Sequence, residues 1–101
     1  MNVGKLYQVK KYFWLFYPSK EIAADTDHSF TTMEAIGEEL VEYWSKKFNC
    51  NVSYFSPTSM FMLLEKDEKY CKVLTTNGKL GWIVYPENED WCKDDIEEVN
   101  Q

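Results

Sequence analysis

Two hydrophobic periods run along this chain. In residues 5–17, KLYQVKKYFWLFY, aromatic and aliphatic positions crowd between Gly4 and Pro18, which predicts a strand or a bent pair of strands. From Tyr12 to Tyr17 the run is apolar at consecutive positions, so it needs cover on both faces. Residues 18–32, PSKEIAADTDHSFTT, are polar and turn-forming. In MEAIGEELVEYWSKKF the period changes: Met33, Ile36, Leu40, Trp44 and Phe48 recur at helical spacing, predicting a helix over about 33–48. Thr31 or Thr32 would cap it, Glu34 and Glu38 suit its first turns, Lys46 and Lys47 its last, and Asn49 its end; Gly37 works against it. The stripe should lie on the doubly apolar strand.

After the Ser56-Pro57 turn, SMFMLLEKDEKYCKVLTTNGKLGWIVYP reads as three strands joined by turns at Lys66 to Glu68 and at Asn77-Gly78, where Gly78 supplies a positive φ. Met60 to Leu64 is again apolar on both faces. Pro86 stops the last of these strands, ENEDWCKDD forms a short acidic turn, and IEEV, residues 96–99, a closing strand with Ile96 inward.

These residues carry a family likeness. YCKVLTTNGKLGWIVYP followed by a short turn and IEEV resembles the C-terminal half of SH3 and bacterial SH3-like domains, and SPTSMFMLLE resembles the strand after that fold's long first loop. The resemblance covers residues 57–99. It implies a mainly β fold, a small SH3-like barrel of five to six strands with the helix of about 33–48 inserted in its first long loop. It also implies that Gly81 lets its strand bend while Trp82 packs at the barrel's edge. A groove of stacked rings for proline-rich peptides follows from the same likeness: Tyr70, Tyr85, Pro86 and Trp91 match its neighbourhood, and Glu21, Asp25 and Asp27 would hold a basic flanking residue.

Composition narrows the function. At 101 residues the chain is one domain, residues 1–101, since halves would be too small to bury a core. An aromatic share of 17% exceeds what a small core easily hides, so some rings are expected at a recognition surface. The net charge is −6 and all 11 basic residues are lysine. Arginine is the side chain that reads guanine edges and grips phosphate in a bidentate fork, so direct nucleic-acid binding and phosphoryl transfer lose ground. Lysines 5, 10, 11 and 20 precede the first acid, Glu21, whereas residues 87–98 hold seven acids; paired terminal strands would set Lys5 or Lys10 against Glu97 or Glu98.

No constellation marks an enzyme. His28 with Cys50, Cys71 and Cys92 has the atom types of a zinc site without paired close ligands, and no third group orients a Cys-His nucleophile. Neighbouring acids such as Asp94-Asp95 point apart and read as solvated faces. No catalytic residue, metal or other cofactor is therefore assigned. No segment reaches the roughly 18 apolar residues of a membrane span, and three cysteines without a CxxC suit reduced thiols in a cytosol. Lysine-only basicity suggests an AT-rich genome, and the style is similar to that of small bacteriophage proteins, which would place the chain in a host cytoplasm. The expectation is a non-enzymatic module binding a protein or peptide. The alternatives are an acidic decoy for a basic, nucleic-acid-binding protein and a small assembly subunit or homodimer.

Overall fold

The computed structural model describes residues 1–25, 32–33, 38–87 and 89–99, and the side chains of all of these except Thr32, Met33, Glu38, Leu40 and Trp91. In chain order the elements are β1 (Leu6–Val9), β2 (Phe13–Phe16), α1 (Lys20–Asp25), β3 (Thr32–Met33), α2 (Glu38–Phe48), β4 (Ser53–Phe55), β5 (Met60–Asp67), β6 (Tyr70–Thr75), β7 (Leu80–Val84), α3 (Asp90–Asp95) and β8 (Ile96–Glu98). The fold is mainly β, in two antiparallel sheets ordered β7-β6-β5-β1-β8 and β3-β2-β4. Among the described residues no closed barrel is seen. One bridge joins the sheets, where Tyr17 and Trp82 exchange two backbone hydrogen bonds of 2.8 Å.

The doubly apolar run explains this layering. Alternate residues of a strand face opposite ways, so β2 sends Trp14 and Phe16 into an inner core with Val9, Phe61, Leu63, Val73 and Ile83. Leu15 and Tyr17 enter an outer core with Ala23, Trp44, Val52 and Val84. Trp44 of α2 thus helps cover the run, as its helical stripe led one to expect. The helix is shorter than 33–48: Met33 belongs to β3, residues 34–37 lie outside the described residues, and Asn49 ends α2 at φ 50°.

Two elements in the polar stretches escape the periodicity. α1 is preceded by Ser19, whose hydroxyl accepts the Ile22 N–H at 3.2 Å, and this short capped helix buries only Ala23. β4 lies against β2, and its approach is tied to α2 by the Val52 N–H donating to Ser45 Oγ at 3.1 Å. The β5–β6 turn falls one residue later than expected, at Glu68-Lys69, with Glu68 at φ 56°, whereas Gly78 takes its expected positive φ of 87°.

Gly81 is required for space. A Cβ there would stand 2.3 Å from the Phe16 ring and 2.8 Å from the Tyr17 carbonyl oxygen. Its φ is not positive, so the close passage of β2 over β7, and not a bend needing glycine's freedom, is the reason for it.

The terminal strands do pair: β8 lies antiparallel to β1, and Lys10 Nζ reaches Glu97 Oε2 at 2.8 Å. Asp94, Glu97 and Glu98 are exposed as expected, but Asp95 departs from the solvated reading, being only 2% exposed. Its carboxylate accepts the Lys11 and Tyr12 N–H groups at 2.6 and 3.0 Å and the Trp14 indole N–H, while its carbonyl accepts the Lys10 N–H at 2.7 Å. The carboxylate's burial is offset by these donors, which lock the turn between the two sheets onto α3.

Candidate functional site

The ring cluster expected from the sequence is divided by strand parity. Tyr70 and its partner Val84 point to the outer side of the β6–β7 hairpin, where Tyr70 is half-buried against the outer core. Tyr85 follows Val84 and points inward. It is 5% exposed, 5.9 Å from the Trp14 ring, and burial foremost, with neighbouring Cys92 and Glu87, pushes its phenol up to about 12. Tyr85 is therefore a core residue, not a wall of an open groove. Pro86 is half-buried. The backbone of Trp91 lies in α3, but its side chain is outside the described residues, as are Asp27 and His28. Glu21 and Asp25 are exposed on α1.

Pro86 borders a charged cleft, whereas Tyr70 is not among its lining residues. Lys20, at the start of α1, pairs with Asp67, and its ammonium lies 6.0 Å from the Tyr70 ring; that of Lys69 lies 5.8 Å away. Next to these, Glu68, Lys69, Pro86, Glu87 and Glu89 line a cleft of about 470 Å³. Glu87 is its most constrained acid. The hydrogen bond from Lys66 foremost, helped by the N-terminal ammonium at 3.2 Å, holds its carboxyl below the usual range against the opposing effect of burial. Glu68 and Glu89 are exposed. None of these three acids was singled out from sequence, although the acids after Pro86 and those flanking the β5–β6 turn were the signal.

A second cleft, of about 270 Å³, opens where β4 faces the tip of the β6–β7 hairpin. Phe16 and Phe55, with ring centroids 5.0 Å apart, and the 40%-exposed Tyr54 give it an aromatic floor. Thr76, Asn77 and Lys79 form the facing rim. That rim is ordered by Thr75, whose hydroxyl donates to Asn77 Oδ1 and accepts the Lys79 N–H at 2.9 Å.

Beyond the clefts, Leu6, Met62, Leu74 and Leu80 are consecutive cross-strand partners over β1, β5, β6 and β7. They form an apolar row on the outer face, with Met62 and Leu80 exposed.

Two of the three thiols, Cys71 and Cys92, are buried. Burial raises Cys71 to about 11, against an opposing pull from Lys66, and raises Cys92 to about 12, so both stay protonated at neutral pH. The half-buried Cys50 is also raised by burial. Among the described residues no three His, Cys, Asp or Glu side chains gather as a metal site, and no helix is long and apolar enough to cross a membrane. Comparison with family models, curated proteins and solved structures finds no match.

Proposed function

We propose that the chain is an SH3-like domain with a helical insertion, a non-enzymatic interaction module that takes a basic extended segment of a partner protein into the cleft of Glu68, Pro86, Glu87 and Glu89. The scaffold reading is supported by the sheet order: β8 and β1 lie side by side, β5, β6 and β7 follow as a meander, and the short helix α3 leads into β8. The passage of Tyr17 beside Gly81-Trp82 brings the second sheet onto that meander. The protonated thiols support a non-catalytic role.

The observation that carries the binding reading is the composition of this cleft, the carboxylates of Glu68, Glu87 and Glu89 against the single ammonium of Lys69, around Pro86. The proline surface accepts an extended backbone at little entropic cost, while the exposed carboxylates of Glu68 and Glu89 select a flanking lysine or arginine. The groove proposed here includes Pro86, not the buried Tyr85, and draws its acids from the two loops.

The test is an NMR titration of the full chain with a proline-rich peptide flanked by two lysines. Shifts should concentrate at residues 68–70 and 87–89. A Glu68→Lys/Glu89→Lys variant should bind about tenfold more weakly, the scale of two exposed charge reversals. Equal binding of a peptide with glutamates in place of the lysines would reject the reading.

A further inference from the structure

The second cleft has a geometry that an ordinary surface depression lacks. Successive residues of a strand point to opposite faces, yet Ser53, Tyr54 and Phe55 all line this cleft. A cavity touched by both faces of a strand runs along its edge. The sheet order β3-β2-β4 makes β4 an edge strand, whose outward backbone groups are a template for another strand.

Its charge also sets it apart. The chain carries −6 overall, but among the described residues lining this cleft none is acidic, and Lys79 is the one charged group. The remaining rim is hydroxyl and carboxamide, and the floor is aromatic. At about 270 Å³ the space falls below that of a drug-sized ligand pocket and suits one apolar side chain with its flanking residues.

From this edge geometry we infer that β4 is a second binding site, one that pairs with an extended peptide segment of a partner by strand addition. The peptide lays its backbone along Ser53–Phe55, places one apolar side chain on the Phe16–Phe55 floor, and sets an acidic residue against Lys79. Backbone pairing supplies the adhesion, and the floor and Lys79 supply the selection. The preference is opposite in sign to that of the Glu68–Glu89 cleft, so one partner with basic and acidic segments, or two partners, could engage both.

The probe is an acetylated, amidated hexapeptide alternating valine with aspartate and threonine, titrated into the full-length labelled chain. Site occupancy should shift the amides of residues 53–55 and 76–79 and slow hydrogen exchange in β4, leaving residues 68–70 and 87–89 unmoved. N-methylation of alternate peptide nitrogens, placed on either edge in turn, should abolish binding for one pattern and spare it for the other, as only a strand pairing through one edge requires. Lys79→Glu, at an exposed position, should weaken the valine-aspartate peptide about two- to fivefold. A counterpart with lysine for aspartate should gain on that variant. The inference is overturned if neither N-methyl pattern matters, if shifts map to the acidic cleft, if the chain does not bind the peptide, or if light scattering shows β4 already covered by a second copy.

Discussion

β2 is shared by two cores that are sealed in different ways. The inner core fills the space between the sheets; its Trp14, Val9, Phe61 and Leu63 are wholly enclosed, and the Asp95 carboxylate closes its end with three N–H donors. The outer core lies between β2, the β6–β7 hairpin and the helices. Ile22, Phe48, Cys50, Tyr70 and Trp82 at its border are half-buried, and its cover is tied down by the Ser19 hydroxyl, by the Ser45 hydroxyl bonded to both backbone groups of Val52, and by the Lys20–Asp67 pair. The inner core is thus the part held between the two sheets and closed by α3. The outer one is a layer laid over Leu15, Tyr17 and Val84, apolar groups that would otherwise face water.

The largest test of this contrast is a matched pair. Trp14→Ala should cost about 5 kcal/mol and Trp44→Ala about 3 kcal/mol, the two ends of the range for a buried aromatic, because only Trp14 is fully enclosed and also donates to Asp95. Urea denaturation gives both numbers. Hydrogen exchange should separate them further: Trp44→Ala should quicken exchange in α2 and leave β5 and β6 protected, whereas Trp14→Ala should loosen the whole sheet. Equal, global loosening by both would merge the two cores into one.

Gly81→Val probes the seam. Its side chain would collide with the Phe16 ring and the Tyr17 carbonyl, and overpacking of this kind costs about 1–3 kcal/mol. Pairing it with Phe16→Ala should recover part of the loss, since the nearest collision is then removed. No recovery would return the explanation to backbone strain.

A further test is a pH slope belonging mainly to the inner core. Cys71, Cys92 and Tyr85 lie there with pKa values raised to about 11, 12 and 12, from 9.0 for the thiols and 10.0 for the phenol. An unfolded chain loses these protons at lower pH than the folded one. Their stabilising effect is therefore full below about pH 9 and is lost as the pH rises through about 11–12. Denaturation midpoints should fall over that range, less steeply in Cys71→Ala/Cys92→Ala. An unchanged slope in that variant would remove the thiols from the account.

Local patterns were enough for much of this. Turn signals between apolar runs marked the strands from Met60 to Val84, Asn77-Gly78 placed a hairpin, and the stripe through Trp44 marked a helix laid on the run at Tyr12 to Tyr17. Opposite charge at the two ends anticipated the pairing of β1 with β8 and the Lys10–Glu97 contact. Each of these signals is a period of 2 or 3.6 residues, a glycine at positive φ, or a sum of charges, all readable from neighbours along the chain.

The sites were not readable in that way. Tyr85 and Tyr70 are equally aromatic in sequence, and only the register of β6 against β7 sends one inward and the other out. Asp95 looks like its neighbour Asp94 until the β1–β2 turn brings three N–H donors to it from more than 80 residues away. β4 is three residues long, too short to carry a period, and becomes an edge strand only through pairing with β2. Composition and periodicity determined that this chain makes a mainly β core with a helical cover. The contacts between distant segments decided which polar group is buried, which ring turns inward and which strand lies at a sheet edge, because those depend on what the fold places opposite each residue.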